Sequence, residues 1–378
     1  MVTAPTTSRA FPHSRNSLNM FRLILAAAVL FAHAFYITGN GTGPMLHGEN
    51  LGGWAVAGFF VLSGFLITGS RLRHSTGEFL VHRIARIFPA FLVVLVVTAL
   101  VFAPIAALLE RGDLAGFWTT PVTPLEYIWG NVDLHISSYS ISWTLQTVPY
   151  PGAWNGSLWT LYYEFFCYVI VWALGFLAIF RRSVWLPIAL WVASVGVHAT
   201  MGFWQRLGLD TDFTLLMKLL PFFLGGVVAY VVFDRWGMRA PIGIVSLALA
   251  LVIVFAVPGF GGQLASPLLA YGLLWLSTVV RQPPLIAKHD VSYGFYIYAW
   301  PTAQLLVLVG AANLGVWGFI AVNVLVTLMF ATASWLLIER PIMRATRRSR
   351  TATSARPART GAEAADTPGA AGTADAAA

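Results

Sequence analysis

The sequence predicts an all-α, polytopic membrane protein with about ten transmembrane helices and both termini in the cytoplasm. Three observations lead to that class. The 378 residues are 58% hydrophobic and only 10% charged, with a mean hydropathy of +0.73, whereas a soluble domain carries about 25% charged residues. The apolar residues gather in ten runs, at about 20–38, 54–70, 88–108, 157–180, 184–201, 214–233, 241–257, 264–280, 291–310 and 314–338. Each is near the ~20 residues needed to cross the hydrocarbon core. Finally, if the N-terminus lies inside, every Lys and Arg among the 23 falls on an inside segment except Arg111, Arg206 and Lys218. That asymmetry is the positive-inside signature.

Topology thus accounts for the net charge of +8, and no nucleic-acid partner is needed. A single cysteine, Cys167, excludes an intramolecular disulfide and argues against a cysteine-based metal site. We expect no metal. The polar, basic N-terminus resembles the leading region of a signal peptide, but the run behind it holds a histidine and many spans follow. We read residues 1–19 as a cytoplasmic tail, 20–343 as the membrane domain and 344–378 as a disordered cytoplasmic tail of low complexity. The expected location is the plasma membrane, with several passes.

Taken in order, the first run carries one arginine and one histidine, Arg22 and His33. Eleven helical steps of about 100° return to nearly the same azimuth, roughly 16 Å along the axis. The two should share a face at different depths, with Ala26 and Val29 between them. A histidine inside an apolar span is a functional-site hypothesis by default. The second run, GGWAVAGFFVLSGFLITGS, is rich in small residues that allow close helix packing. Ser63 within it either packs or lines a channel. The inside segment RLRHSTGEFLVHRIARIF interleaves arginines with apolar residues, as an amphipathic surface helix does. Its Arg83 and Arg86 point the same way if helical. Paired guanidiniums suit the phosphates of a nucleotide-type donor, although topology alone also places arginines there.

The outside segment 109–156 is long and rich in Trp, Tyr, Pro and Gly. Its aromatic content argues against disorder, and flat rings suit sugar faces or a plain interfacial belt. The fourth run carries Glu164, with Thr160 and Tyr168 four residues to either side on one face. An unpaired charge there costs about 2.5–3.5 kcal/mol, so a partner is expected. Counted from the outer boundary, His33 and Glu164 both lie roughly 8–11 Å deep. A base and its orienting partner have that relation. Asp210 and Asp212, in an outside loop, resemble the metal-binding pair of some glycosyltransferases, or are simply solvated. No GxSxG elbow, HExxH or P-loop is present.

Together these stretches resemble the membrane acyltransferase 3 family, whose members O-acylate sugars and other hydroxyl compounds. Arg22-x10-His33, GFFVLSGFLI at 58–67, Arg83-x-x-Arg86, SLWTLYYEFFCY at 157–168, SYGFYIYAWP at 292–301 and IERP at 338–341 match its motifs in order. The resemblance implies an acyl-CoA donor, commonly acetyl-CoA, held from the cytoplasm by Arg83 and Arg86, with His33 as the catalytic residue and a glycan or other hydroxyl acceptor. Combined with the depth count, the expected mechanism has His33 remove the acceptor's proton or briefly carry the acyl group, Glu164 orient or charge its ring, and Arg22 guide the donor. We place Ser63, Trp159, Tyr168 and Tyr293 on the substrate-binding surface. No permanently bound cofactor is expected. Many relatives have a histidine where this chain has Ala299. The esterase-like domain appended in some relatives is lacking, so transfer is expected without a second soluble unit. The rival readings are a polysaccharide or lipid-linked sugar transporter with a His/Glu proton relay, and a metal-dependent glycosyltransferase.

Overall fold

The computed structural model describes Phe11 and residues 16–346. The remainder of the expected N-terminal tail up to residue 15, and the expected disordered tail beyond 346, lie outside the described residues. Phe11 is buried against the rings of Phe65 and Phe233.

Helix α1 (Leu18–Ile37) leads to a hairpin of two short strands, β1 (Met45–Leu46) and β2 (Glu49–Asn50), which pair antiparallel. Next come α2 (Leu51–Arg73) and α3 (Thr76–Val97), which passes through a π-helical turn into α4 (Ala103–Arg111). The short α5 (Pro124–Gly130) precedes α6 (Thr160–Leu174), α7 (Ala178–Arg182), α8 (Trp185–Ala199) and α9 (Met201–Arg206). Then follow α10 (Thr211–Trp236), α11 (Ala240–Ala256), α12 (Gly261–Val279), α13 (Pro284–Lys288), α14 (Ser292–Leu308) and α15 (Gly315–Ser334). The last helix continues through a second π-helical turn to Thr346. All ten expected apolar runs coincide with helices. Among the described residues, five helical stretches are long and apolar enough to cross a membrane: α1, α2, α3 through α4, α10, and 311–346.

The packing centre is α2 against α10, with α12 packed on α10 and also touching α2, and α1 between α2 and α14. The small residues of α2 permit this. A Cβ on Gly64 would run into the carbonyl of Phe223, and one on Gly226 into that of Val61. In hydrocarbon, close backbone approach replaces the hydrophobic drive that water supplies elsewhere.

Two segments differ from expectation. Residues 71–87 do not form a separate surface helix. Ser75 and Glu78 make a reciprocal capping box that starts α3 at Thr76, and the helix then runs unbroken across the bundle. Arg83 and Arg86 therefore sit on the first turns of a long apolar helix. The segment 109–156 is ordered, as its aromatic content predicts, and it dives into the protein. The Glu110 carboxylate accepts from the backbone amides of Leu145, Gln146 and Thr147 at 2.8–3.0 Å. Trp154 is fully buried and donates its indole N–H to Thr144 Oγ1 at 2.9 Å. The carboxamide of Asn155, also buried, bonds to Tyr127 and to Thr98 on the π-helical turn. Because Trp154 through Leu158 lie inside the bundle, α6 begins below the surface and needs only 15 residues.

Candidate active site

The side chains singled out by sequence fall in two layers, one near each end of α1. The first is basic. Asp290, just ahead of α14, accepts from Arg22 at 2.8 Å and from Arg86 at 2.9 Å. Arg86 also reaches Glu339 at 3.1 Å, and Glu339 is held by Ser334 Oγ. One network thus ties together α1, α3, the start of α14 and the end of the last helix. Tyr293 lies beneath the Arg86 guanidinium and donates to the carbonyl of Ile87 at 2.8 Å. Burial by itself would raise the Asp290 carboxyl, but the Arg22 and Arg86 guanidiniums and Ser292 outweigh it and hold it at about 2. A depressed carboxylate stabilises the fold above its unfolded value near 3.8 and loses that contribution as pH falls towards 2. This contribution should accordingly stay constant between pH 8 and 5, and thermal unfolding of an Asp290→Asn protein against wild type should give the same difference at both.

The arginine pair is divided by this network. Arg86 is committed to two carboxylates. Arg83 has no carboxylate partner among the described residues, and its buried Nε has no hydrogen-bond partner. Its guanidinium lies 5.9 Å from the Phe79 ring centre and 6.0 Å from that of Tyr168. Arg83 faces a cavity of about 1090 Å³ whose wall also includes Arg22, Arg86, Lys288, Arg340 and Arg344, with Asp290 as its carboxylate. Leu62, Ser63, Leu66 and Tyr168 line it too.

Glu164 belongs to this basic layer. Ser63 Oγ donates to its Oε1 at 2.7 Å and Tyr168 OH to the same oxygen at 2.5 Å. The matched depth expected for Glu164 and His33 is not met. One turn of α6 towards the opposite end, Thr160 bonds to Tyr296 OH at 2.6 Å. Tyr296 lies between Asp290, which binds Arg22, and Trp300, which touches His33. Glu164 is thus close to the height of Arg22, not of His33. The depth count failed because α6 starts inside the protein. Glutamine at 164 can still accept from both hydroxyls. Glu164→Gln is therefore expected to keep turnover within about tenfold of wild type, or ~1.4 kcal/mol, in a steady-state transfer assay.

The second layer holds His33. Its ring meets the edge of Trp300 with centroids 4.7 Å apart, and its buried Nδ1 has no hydrogen-bond partner. Helical spacing does not single out Trp300; its one sequence signal is the WP pair inside the SYGFYIYAWP segment. The incoming loop fixes the indole. Trp300 Nε1 donates to the carbonyl of Ala153 at 2.8 Å, as does Gln304 Nε2 at 2.9 Å. Tyr150 packs edge-on against the same indole. Gly156 lies so close under the ring that any Cβ there would overlap it. Gly156→Ala should displace Trp300, cost about 1–3 kcal/mol of overpacking and impair turnover, as read by thermal unfolding and activity on one preparation.

His33 is not part of the basic cavity's wall. Phe59 and Tyr296 meet edge to face, centroids 5.9 Å apart, at intermediate height. The height of Phe59 follows from its neighbour Gly58, which packs on Leu25 of α1. Trp159 stacks its edge on Tyr163 near the other end of the bundle. Tyr163 OH donates to Asp212 at 2.8 Å, and His135 Nε2 lies 3.2 Å from the same carboxylate. Asp210 instead caps α10 by accepting from the Phe213 amide. The two aspartates serve different local bonds, which does not suit a shared metal.

The described residues thus form an apolar bundle with a buried imidazole at one level and an arginine-lined chamber at another. The family model described as an acyltransferase domain, acyltransferase 3, matches residues 15–339. The chain belongs to that family and is a multi-pass membrane acyltransferase. An O-acetyl transferase of Shigella phage Sf6 is 27% identical over 87% of this chain and 96% of its own length. Nodulation protein 10 of Rhizobium leguminosarum bv. viciae is 29% identical over 90% of this chain and 96% of its own. No solved structure matches the chain significantly.

Proposed function

We propose that the protein is a plasma-membrane O-acyltransferase that moves an acyl group, commonly acetyl, from acyl-CoA to a hydroxyl of a carbohydrate acceptor. The observation that carries this reading is the large basic cavity containing Arg83, a guanidinium with no salt-bridged carboxylate among the described residues. In the cytoplasm-facing orientation favoured by the basic residues, the donor's phosphates lie against Arg83, with Lys288, Arg340 and Arg344 adding field. Ser63 and Tyr168, fixed by Glu164, line the inner end of the chamber. The pantetheine arm then passes Phe59 and Tyr296 to bring its thioester to His33, about 16 Å beyond Arg22. A sugar hydroxyl from the opposite side donates to the unpartnered His33 nitrogen. As that proton moves to His33, the hydroxyl oxygen bonds to the thioester carbon, the C–S bond breaks, and His33 passes the proton to the departing thiolate.

The acceptor's approach is supported by an aromatic path. Trp159, Tyr162, Tyr163 and His135 form one contiguous ring cluster, and Tyr150 reaches Trp300 beside His33. Tyr139 and Tyr150 are 37% and 40% exposed, so their faces are open to a sugar. The name of one relative, an O-acetyl transferase, accords with acetyl transfer to an oxygen. A transporter using a His/Glu proton relay fits less well, because His33 and Glu164 stand in different layers. The test supplies radiolabelled acetyl-CoA to membranes containing the protein. Label should appear in a glycan fraction with release of free CoA. Sugar movement without acetyl-CoA consumption would establish transport instead.

A further inference from the structure

A second cavity lies at the end of the bundle away from the arginine layer, on the other side of α2 from α1. It measures about 230 Å³ and is bounded by the β1–β2 hairpin, α2, α10 and the α11–α12 turn. Its functional groups are Glu49, Lys218, His47, His198, Gln263 and Trp54. Lys218 Nζ and Glu49 Oε2 are 2.5 Å apart, which pins the hairpin to α10. Gln263 is buried and donates to the Lys218 carbonyl at 3.3 Å. The His198 ring is engaged by the Gly259 backbone, and its buried Nδ1 is left without a hydrogen-bond partner among the described residues. Buried polar atoms without partners are rare, and each calls for a ligand, a water or a function.

We infer that this cavity is a binding subsite for one uncharged sugar ring of the acceptor glycan, separated by α2 from the His33 site of acyl transfer. The inference rests on the glycan reading above. The volume equals that of about eight liquid waters at ~30 Å³ each, which suits a single ring and not a buried chain. The ammonium is already neutralised by Glu49, so an anionic guest finds no spare charge. What remains is a mixture of acceptors and donors beside an indole. Vicinal hydroxyls over an apolar ring face need that combination.

Saturation-transfer NMR on the full chain in lipid nanodiscs tests this, with methyl glucoside, methyl rhamnoside, N-acetylglucosamine, glucuronate and inorganic phosphate as probes. At least one neutral pyranoside should receive saturation from the wild type and from His33→Ala, and bind about tenfold more weakly to Gln263→Leu and His198→Phe, the loss of one hydrogen bond. Glu49→Gln frees the ammonium and should shift preference towards glucuronate. No transfer to any neutral pyranoside overturns the subsite, as does transfer that survives both cavity substitutions. A wild type that prefers glucuronate or phosphate overturns it too, since the guest is then an anion such as a lipid headgroup. The acyl-transfer reading is judged separately: labelled glycan formed while this assay is negative leaves the enzyme standing and removes the subsite.

Discussion

His33→Ala is expected to lower acyl transfer about a hundred- to ten-thousand-fold, the usual contribution of a positioned general base, while leaving the fold nearly intact. The expectation of an intact fold is structural. His33 makes no hydrogen bond through Nδ1, so its removal strands no buried partner. The loss is one edge contact to Trp300, worth about 1 kcal/mol. Wild type and variant should melt within a few degrees of each other in detergent and differ in the appearance of labelled product. Equal labelling by both would remove His33 from the mechanism. Equal losses of melting temperature and labelling would make it a packing residue. Donor binding in the basic chamber should be unchanged in His33→Ala, because the histidine is not part of that chamber's wall.

Arg83→Ala and Arg86→Ala are expected to fail in different ways, although the two residues are three apart on one helix. Arg83 breaks no ion pair when removed. Its loss should raise KM for acyl-CoA roughly ten- to hundredfold, as one or two charge-assisted hydrogen bonds at ~1.5–3 kcal/mol imply, with little change in stability. Arg86 joins Asp290 to Glu339. Its loss leaves Glu339, 3% exposed, with Ser334 as its remaining hydrogen-bond partner. Breaking a buried pair on one side costs on the order of 3 kcal/mol or more. Arg86→Ala should therefore melt earlier, and Arg86→Ala with Glu339→Gln should recover part of that loss. Acyl-CoA titration and thermal unfolding on the same preparations separate the outcomes. If both substitutions raise KM alike with no loss of stability, the guanidiniums share one role and the division drawn here is wrong.

The sequence alone determined what depends on local pattern. The ten apolar runs became helices because each is uniformly apolar over enough residues to satisfy its own backbone. Arg22 and His33 stand a fixed helical rise apart, since eleven steps nearly complete three turns. The glycines of α2 announced close packing, and Gly64 and Gly226 deliver it. The motif order from Arg22 to Pro341 carries the family resemblance. Tertiary structure alone decided depth and partnership. Glu164 belongs with Ser63 and Tyr168 because buried residues of the loop before α6 set where that helix begins, and no count from a span boundary registers this. Arg86 is bound to carboxylates, and Arg83 has no salt bridge among the described residues, because Asp290 and Glu339 arrive on Arg86 from more than 200 residues away. Trp300 gained its place beside His33 because a loop presumed to lie outside folds inward and fixes it through Ala153 and Gly156. Helical periodicity is a property of neighbours along the chain, whereas charge pairing and burial depth are properties of what packs against it.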